Sequence, residues 1–281
     1  MILVTGATGT IGGEVLRLLS ARGERVRAMT REPSRVPALP GVEAVRGDFD
    51  DPASLAQAAA GAGTLFLLSA PGPEIIRHDE AALAAARAAG MRKAVKLSAI
   101  GTGEHVKVGD WHLPGEQALR AGGMEWTVLR PTRFASNTLF WTPLIRAGKP
   151  IPNMTGTGAE GYIDPRDIAE VAVRALTSGD LAGLVLTLTG PELLSVPDVV
   201  GQLGEALGRE LETADISLDA YRQQLLAAGR DPGFVDVALN GAELVLRGGN
   251  ARLTDDVEKA LGRPPRTFRT WAEDHRAAFT G

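Results

Sequence analysis

His112 and Glu116, four residues apart, pair an imidazole with a carboxylate, the combination that acid–base chemistry uses. At i and i+4 of a helix the two side chains share one face. An imidazole beside an anion holds its proton more tightly, so the spacing predicts a His112 pKa above the ordinary value near 6.5. Such a ring would give a proton or a hydrogen bond to a substrate oxygen. The same pair is also what an ordinary solvated helix face carries. Pro114 and Gly115 lie between the two and are poor interior helix residues, so the helix can begin there, which weakens the i,i+4 geometry.

A second constellation stands at the start of the chain, in Thr5-Gly6-Ala7-Thr8-Gly9-Thr10-Ile11-Gly12. A short apolar run precedes the three glycines, and an amphipathic pattern (Val15, Leu16, Leu18, Leu19) follows. This predicts strand, tight turn and helix, with phosphate favoured at the helix N-terminus by bare N–H groups and the macrodipole. Gly6 makes the turn, Gly9 lets backbone approach a pyrophosphate, and Gly12 lets the helix lie close on the strand. Thr8, Thr10 and Ile11 complete the phosphate set. An NAD-selective site carries an acid at the end of the second strand. Here that strand ends Thr30-Arg31, and a guanidinium suits a 2′-phosphate, which favours NADP(H). Asp48 and Phe49 follow the third strand and fall beside an adenine. Ser69 and Ala70 follow the fourth, and Ser98 ends the fifth at the edge where ligands bind.

The elements that must position these residues alternate. Strands are predicted at Ile2–Thr5, Arg25–Met29, Glu43–Arg46, Thr64–Leu68, Ala94–Ser98, Trp126–Leu129 and Leu184–Leu188. Helices are predicted near Ile11–Arg22, Pro52–Ala60, Glu74–Ala89, His112–Ala121, Ser136–Arg146 and Ile163–Ser178, with a Gly/Pro-rich loop at Gly148–Gly158. The fold class is therefore α/β, a doubly wound parallel sheet of Rossmann type with a smaller, mostly helical C-terminal substrate lobe. The dinucleotide domain is 1–130 with a return segment at 160–190. The substrate or cap lobe is 131–159 and 191–281. Asp51 before Pro52, Asp164 before Pro165 and Ser195 before Pro197 read as helix caps.

Composition narrows the classes. The chain has 281 residues, is 44% hydrophobic and carries a net charge of -4, which leaves no basic footprint for nucleic acid. It has no cysteine, which excludes disulfides, thiolate metal sites and a thiol nucleophile, and no motif argues for a metal. No apolar run approaches the roughly 20 residues of a membrane span, so a soluble cytoplasmic protein is expected.

Taken together, Thr5-Gly6-x-Thr8-Gly9-x-x-Gly12, Thr30-Arg31-x-Pro33, Lys96-Leu97-Ser98, His112-x-x-x-Glu116, Trp126-Thr127-Val128-Leu129-Arg130-Pro131-x-x-Phe134-x-x-Asn137 and Asp164-x-x-Asp167-Ile168-Ala169 resemble the NmrA-like branch of atypical short-chain dehydrogenases. The resemblance runs from residue 1 to about 180, and the bacterial NADPH:quinone reductases are the closest in character. It implies an NADPH-dependent oxidoreductase that passes hydride to a quinone or similar conjugated acceptor. The alternative is a non-catalytic NADP(H) sensor acting through a protein partner. Typical short-chain dehydrogenases pair a serine after the fifth strand with Tyr-x-x-x-Lys on the next helix. Neither Tyr162 nor Tyr221 begins such a motif, and His112-x-x-x-Glu116 stands in its place. Glu116 would then accept from nicotinamide ribose hydroxyls. The resemblance puts Pro131 and Phe134 in the nicotinamide pocket and Asn137 toward substrate. Trp111, Phe134, Phe140 and Trp141 offer a flat apolar wall for a planar acceptor, or simply core packing. The expected partner is a planar, apolar small molecule, and a homodimer is possible.

Overall fold

The computed structural model describes residues 1–104 and 110–280. Its strands are β1 Ile2–Val4, β2 Val26–Thr30, β3 Val42–Arg46, β4 Thr64–Leu67, β5 Lys93–Leu97, β6 Glu125–Pro131, β7 Ile151–Asn153, β8 Ala159–Gly161, β9 Val185–Leu188, β10 Leu193–Ser195 and β11 Thr213–Asp215. Six helices concern the site and its scaffold: α1 Thr10–Ala21, α2 Pro52–Ala59, α3 Ile75–Ala88, α4 Leu113–Arg120, α5 Thr142–Arg146 and α6 Pro165–Thr177.

The chain divides into two compact units. The first is Met1–Arg130 with Pro165–Thr187, and the second is Pro131–Asp164 with Leu188 onward. The seven-stranded sheet runs β3-β2-β1-β4-β5-β6-β9, and the registered pairs from β3 to β6 are all parallel. Parallel neighbours need crossovers, and the intervening helices supply them. Strand β4 (Thr64-Leu65-Phe66-Leu67) is almost continuously apolar because both sheet faces are covered. One face packs Leu3, Leu65 and Leu67 against Leu55, Leu83 and Leu119 from α2, α3 and α4. Each such fully buried leucine contributes about 1.5–3 kcal/mol. Helix α6 pairs with α1 and buries Ile168, Val171 and Ala172. The strand order reverses between β1 and β4, and such a switch point opens a crevice at the strands' C-terminal ends.

The second unit has its own core, built on Ile151, Tyr162, Leu203, Phe268, Trp271 and Phe279. Helix α7 (Val196–Leu207) starts with a full capping box between Ser195 and Asp198. It is followed by α8 (Leu218–Ala227) and α9 (Pro232–Leu246).

The structure departs from the expected elements at two places. The stretch read as one helix, Ser136–Arg146, is a 3-10 segment at Ala135–Trp141 followed by α5, with Pro143 at the α-helix start. Proline is accepted in a first turn, not inside a continuous helix. The loop at 148–158 contains β7, which pairs in parallel with β11 some sixty residues on. Three residues that include Pro152 give no strand signal of their own. Among the described residues, no helix is long and apolar enough to cross a membrane.

Candidate functional site

The crevice between β1 and β4 is pinned by Thr5. Its Oγ1 accepts the Leu68 N–H at 2.8 Å and lies 3.0 Å from the Leu68 carbonyl oxygen. Gly6 follows at φ +60°, and a Cβ there would lie 2.7 Å from Leu68 Cγ. A Cβ on Gly12 would come within 2.1 Å of the Gly6 carbonyl oxygen, so only glycine lets α1 start this close to the turn. Gly9 is the N-cap of α1, no side chain caps it, and the first turn holds no acid. The Gly13 N–H already bonds the Gly9 carbonyl at 2.8 Å, leaving Thr10, Ile11 and Gly12 N–H without intrahelical partners. The Ile11 side chain is buried, so only its backbone can serve. This uncapped positive end fits a pyrophosphate.

Arg31, just beyond β2, is exposed and has no ion-pair partner among the described residues. Thr30 Oγ1 accepts the Glu32 N–H at 3.2 Å. Asp48 Oδ1 accepts the Asp50 N–H at 3.1 Å, and Phe49 stacks on His78 with centroids 4.9 Å apart. Asp51 caps α2 through the Ala53 and Ser54 N–H groups. Ala70 is exposed beside Ser69.

Around α4 the geometry differs from the expected His–Glu pair. Helix α4 begins at Leu113 with His112 as its N-cap, so the two side chains are not two turns of one regular helix. Glu116 is fully buried. Its Oε1 accepts from Ser98 Oγ at 2.6 Å and from Arg130 Nε at 2.9 Å. Its Oε2 accepts from an Arg130 terminal nitrogen at 2.6 Å and from Arg120 at 3.0 Å. A carboxylate so filled has no lone pair to spare for ribose hydroxyls, and the Ser98 hydroxyl proton is committed to it. Glu116 therefore ties β5, α4 and β6 together.

His112 meets a cation instead. Its Nδ1 lies 3.4 Å from Lys96 Nζ, and Lys96 bonds Asp79 Oδ2 at 2.5 Å. Asp79 also accepts from Ser69 Oγ at 2.8 Å. Burial, and then the Lys96 charge, push the His112 pKa down to about 3. The expected rise is thus reversed, and the imidazole is neutral at ordinary pH. Lys96 and Arg130 stand in the sequence only as motif members with no role of their own, and Asp79 in none. The available signal was Lys96 itself, a cation inside the otherwise apolar run Ala94–Leu97, since a buried charge requires a partner.

In the second unit, Arg133, Trp141, Met154, Glu160, Tyr162 and Tyr221 border a cavity of about 60 Å³. Arg133 pairs with Glu160, and its guanidinium lies 6.0 Å from the Tyr162 ring centre. Burial raises the Tyr162 pKa to about 12, so its phenol keeps its proton. Both tyrosines, set aside for lacking a motif, thus sit on this cavity with Trp141. Phe140 does not join them: it is 67% exposed, with Arg230 5.8 Å above its ring. Pro131 is buried at the end of β6. Phe134 bridges in parallel to Ile163, and the Asn137 N–H donates to the Phe134 carbonyl at 3.0 Å. Trp111, half-buried in the turn before α4, belongs to the first unit.

Residues 6–179 match the NAD(P)H-binding family. The chain belongs to this family, in its NmrA-like, atypical short-chain dehydrogenase branch. A (4-alkanoyl-5-oxo-2,5-dihydrofuran-3-yl)methyl phosphate reductase from Streptomyces griseus is 38% identical over 99% of both chains. An NAD(P)H azoreductase from Xenophilus azovorans is 34% identical over 99% of both. The fold matches an NADPH-dependent quinone oxidoreductase from Escherichia coli solved with NADPH, at a TM-score of 0.88 and 23% identity, over 98% of this chain and 99% of that one. The protein is an NAD(P)H-dependent oxidoreductase acting on a small molecule. Full-length relatives that are reductases favour turnover over the sensing alternative.

Proposed function

We propose that the protein reduces a planar, conjugated acceptor such as a quinone, with NADPH as the preferred donor. The observation that carries the reading is His112 held 3.4 Å from the Lys96 ammonium, in a chain whose tyrosines begin no Tyr-x-x-x-Lys motif. A neutral imidazole is a poor proton source. An acceptor whose product is stabilised by conjugation or aromatisation needs little acid catalysis, and correct placement supplies much of the rate. The relatives' named substrates, an azo compound and an oxo-dihydrofuran bearing an alkanoyl group, are likewise conjugated.

The bound cofactor supplies hydride from its nicotinamide. Gly6, Gly9 and Gly12, with the N–H groups of Thr10 and Ile11 and the Thr8 hydroxyl, hold the pyrophosphate. Arg31 binds the 2′-phosphate, and Asp48 and Phe49 border the adenine. Ser69, Ala70 and Ser98 frame the nicotinamide end, with Ser98 oriented by Glu116. His112 donates a hydrogen bond where charge builds on the acceptor. Trp111 borders the acceptor and gives it a flat apolar surface.

NADPH oxidation followed at steady state with a panel of simple quinones, azo dyes, enones, and saturated ketones tests this. Quinones and related conjugated acceptors should turn over well, and saturated ketones poorly. His112→Ala should lower turnover by roughly 10–100-fold, the scale of one lost hydrogen bond to a charged group. Ketones reduced as fast as quinones, or no turnover across the panel despite tight NADPH binding, would overturn the proposal.

A further inference from the structure

A lysine ammonium has three N–H donors and no acceptor. Those of Lys96 have three partners within reach: Asp79 Oδ2 at 2.5 Å, the Leu97 carbonyl at 3.4 Å and His112 Nδ1 at 3.4 Å. Because the ammonium can only donate, Nδ1 must offer its lone pair, and the neutral ring carries its proton on Nε2. We propose that Lys96 is a positioning residue that, tethered by Asp79, holds His112 in the Nε2–H tautomer and aims that N–H at the acceptor atom where negative charge develops. The inference rests on the reading of His112 at the reacting end.

The tether is itself fixed. Asp79 is fully buried, takes the Ser69 hydroxyl at 2.8 Å, and lies in a slot that exists because residue 115 has no side chain. A Cβ on Gly115 would come within 2.2 Å of Asp79 Oδ2. Among the described residues, the charged groups around His112 on the elements packed there are Lys96 on β5, Asp79 behind it on α3, and Glu116 on α4. Both oxygens of Glu116 are occupied by Ser98, Arg120 and Arg130. Among the described residues, the charge that His112 meets directly is positive. Its ring polarises the acceptor without giving up a proton, and the proton that completes reduction comes from water. Turnover then has no acid limb from His112 between about pH 5 and 8, where an ordinary histidine would titrate.

Nitrogen NMR of the full-length protein labelled at histidine reads the tautomer directly. The chain has four histidines, and His112→Gln assigns the signal. The native protein should show the Nε2–H form and no titration across that range. Lys96→Met should raise the His112 pKa from its native value, with burial still holding it below about 6.5, admit the Nδ1–H tautomer, and lower turnover on quinone about tenfold. Lys96→Met leaves Asp79 buried without its cation. Asp79→Asn combined with Lys96→Met removes both charges, and it should give the same NMR result in a folded protein. An Nδ1–H tautomer in the native protein, titration of its His112 above pH 5, or an unchanged ring in the double variant would overturn the inference. Failure to reduce any acceptor, with the NMR as expected, would instead defeat the proposed function and leave the assignment of Lys96 standing.

Discussion

Glu116 and Asp79 are both fully buried carboxylates of the first unit, and they are met in opposite ways. Glu116 receives the two-pronged fork of Arg130, a second arginine and a serine. Every strong acceptor position is filled, so the group joins three elements and has nothing left for a ligand. Asp79 receives a serine and a lysine, and the lysine has further donors that reach His112. A planar guanidinium closes a pair, whereas an ammonium passes its influence on. Two acids that look alike in sequence thus do different work, one structural and one positioning.

The largest effect should come from breaking the closed pair. Glu116→Ala strands Arg130 and Ser98 and should cost about 3–5 kcal/mol in urea unfolding. Glu116→Gln, which keeps the shape and some of the acceptors, should cost less. A loss below about 1 kcal/mol for the alanine variant would mean the cluster does not hold the unit together.

The open side of the comparison predicts a pH dependence. The His112 pKa is about 3 in the folded protein and near 6.5 when unfolded, so between these values the unfolded chain binds the extra proton. The stabilising contribution is complete above pH 6.5 and is lost as pH falls toward 3, at up to about 1.4 kcal/mol per pH unit. Unfolding free energies measured at a series of pH values should show this slope, and His112→Gln should remove that part of it. An unaltered slope in the variant would place the acid sensitivity elsewhere.

A smaller effect should follow from crowding the tether while leaving the Glu116 cluster alone. Gly115→Ala drives a methyl group into Asp79 and should cost about 1–3 kcal/mol. It should also weaken quinone turnover more than it weakens NADPH binding. Equal losses in both would show a general distortion of α4.

Arg31 is the other extreme from Arg130, an exposed guanidinium with no ion-pair partner among the described residues. Arg31→Ala should raise the KM for NADPH by about tenfold, the scale of one charge-assisted hydrogen bond, and leave that for NADH unchanged. Full retention of the NADPH preference would defeat the assignment of the 2′-phosphate to this residue.

Much of the scaffold was legible because its signals are local. The glycines of the first turn, the apolar strands, and the caps at Asp51 and Ser195 each announce themselves within a few residues. The β7–β11 pair was not legible, since neither three-residue strand has a pattern and their pairing spans some sixty residues. The His112–Glu116 relation was misread for a related reason. Helix spacing says which side chains can be neighbours, but not whether the helix has begun or what another strand brings to the same place.

From its own residues the sequence determined the doubly wound fold, the bare helix N-terminus that suits a dinucleotide, and the absence of a tyrosine–lysine pair. Those follow from backbone sterics, hydrophobic periodicity and residue identity, which act at short range. Only the tertiary structure decided how the buried charges are partnered. Lys96 and Asp79 are 17 residues apart, and Ser98 and Glu116 are 18 apart. Burial makes each such charge depend on whichever opposite group the fold delivers, and that delivery set His112 beside a cation and kept its ring neutral.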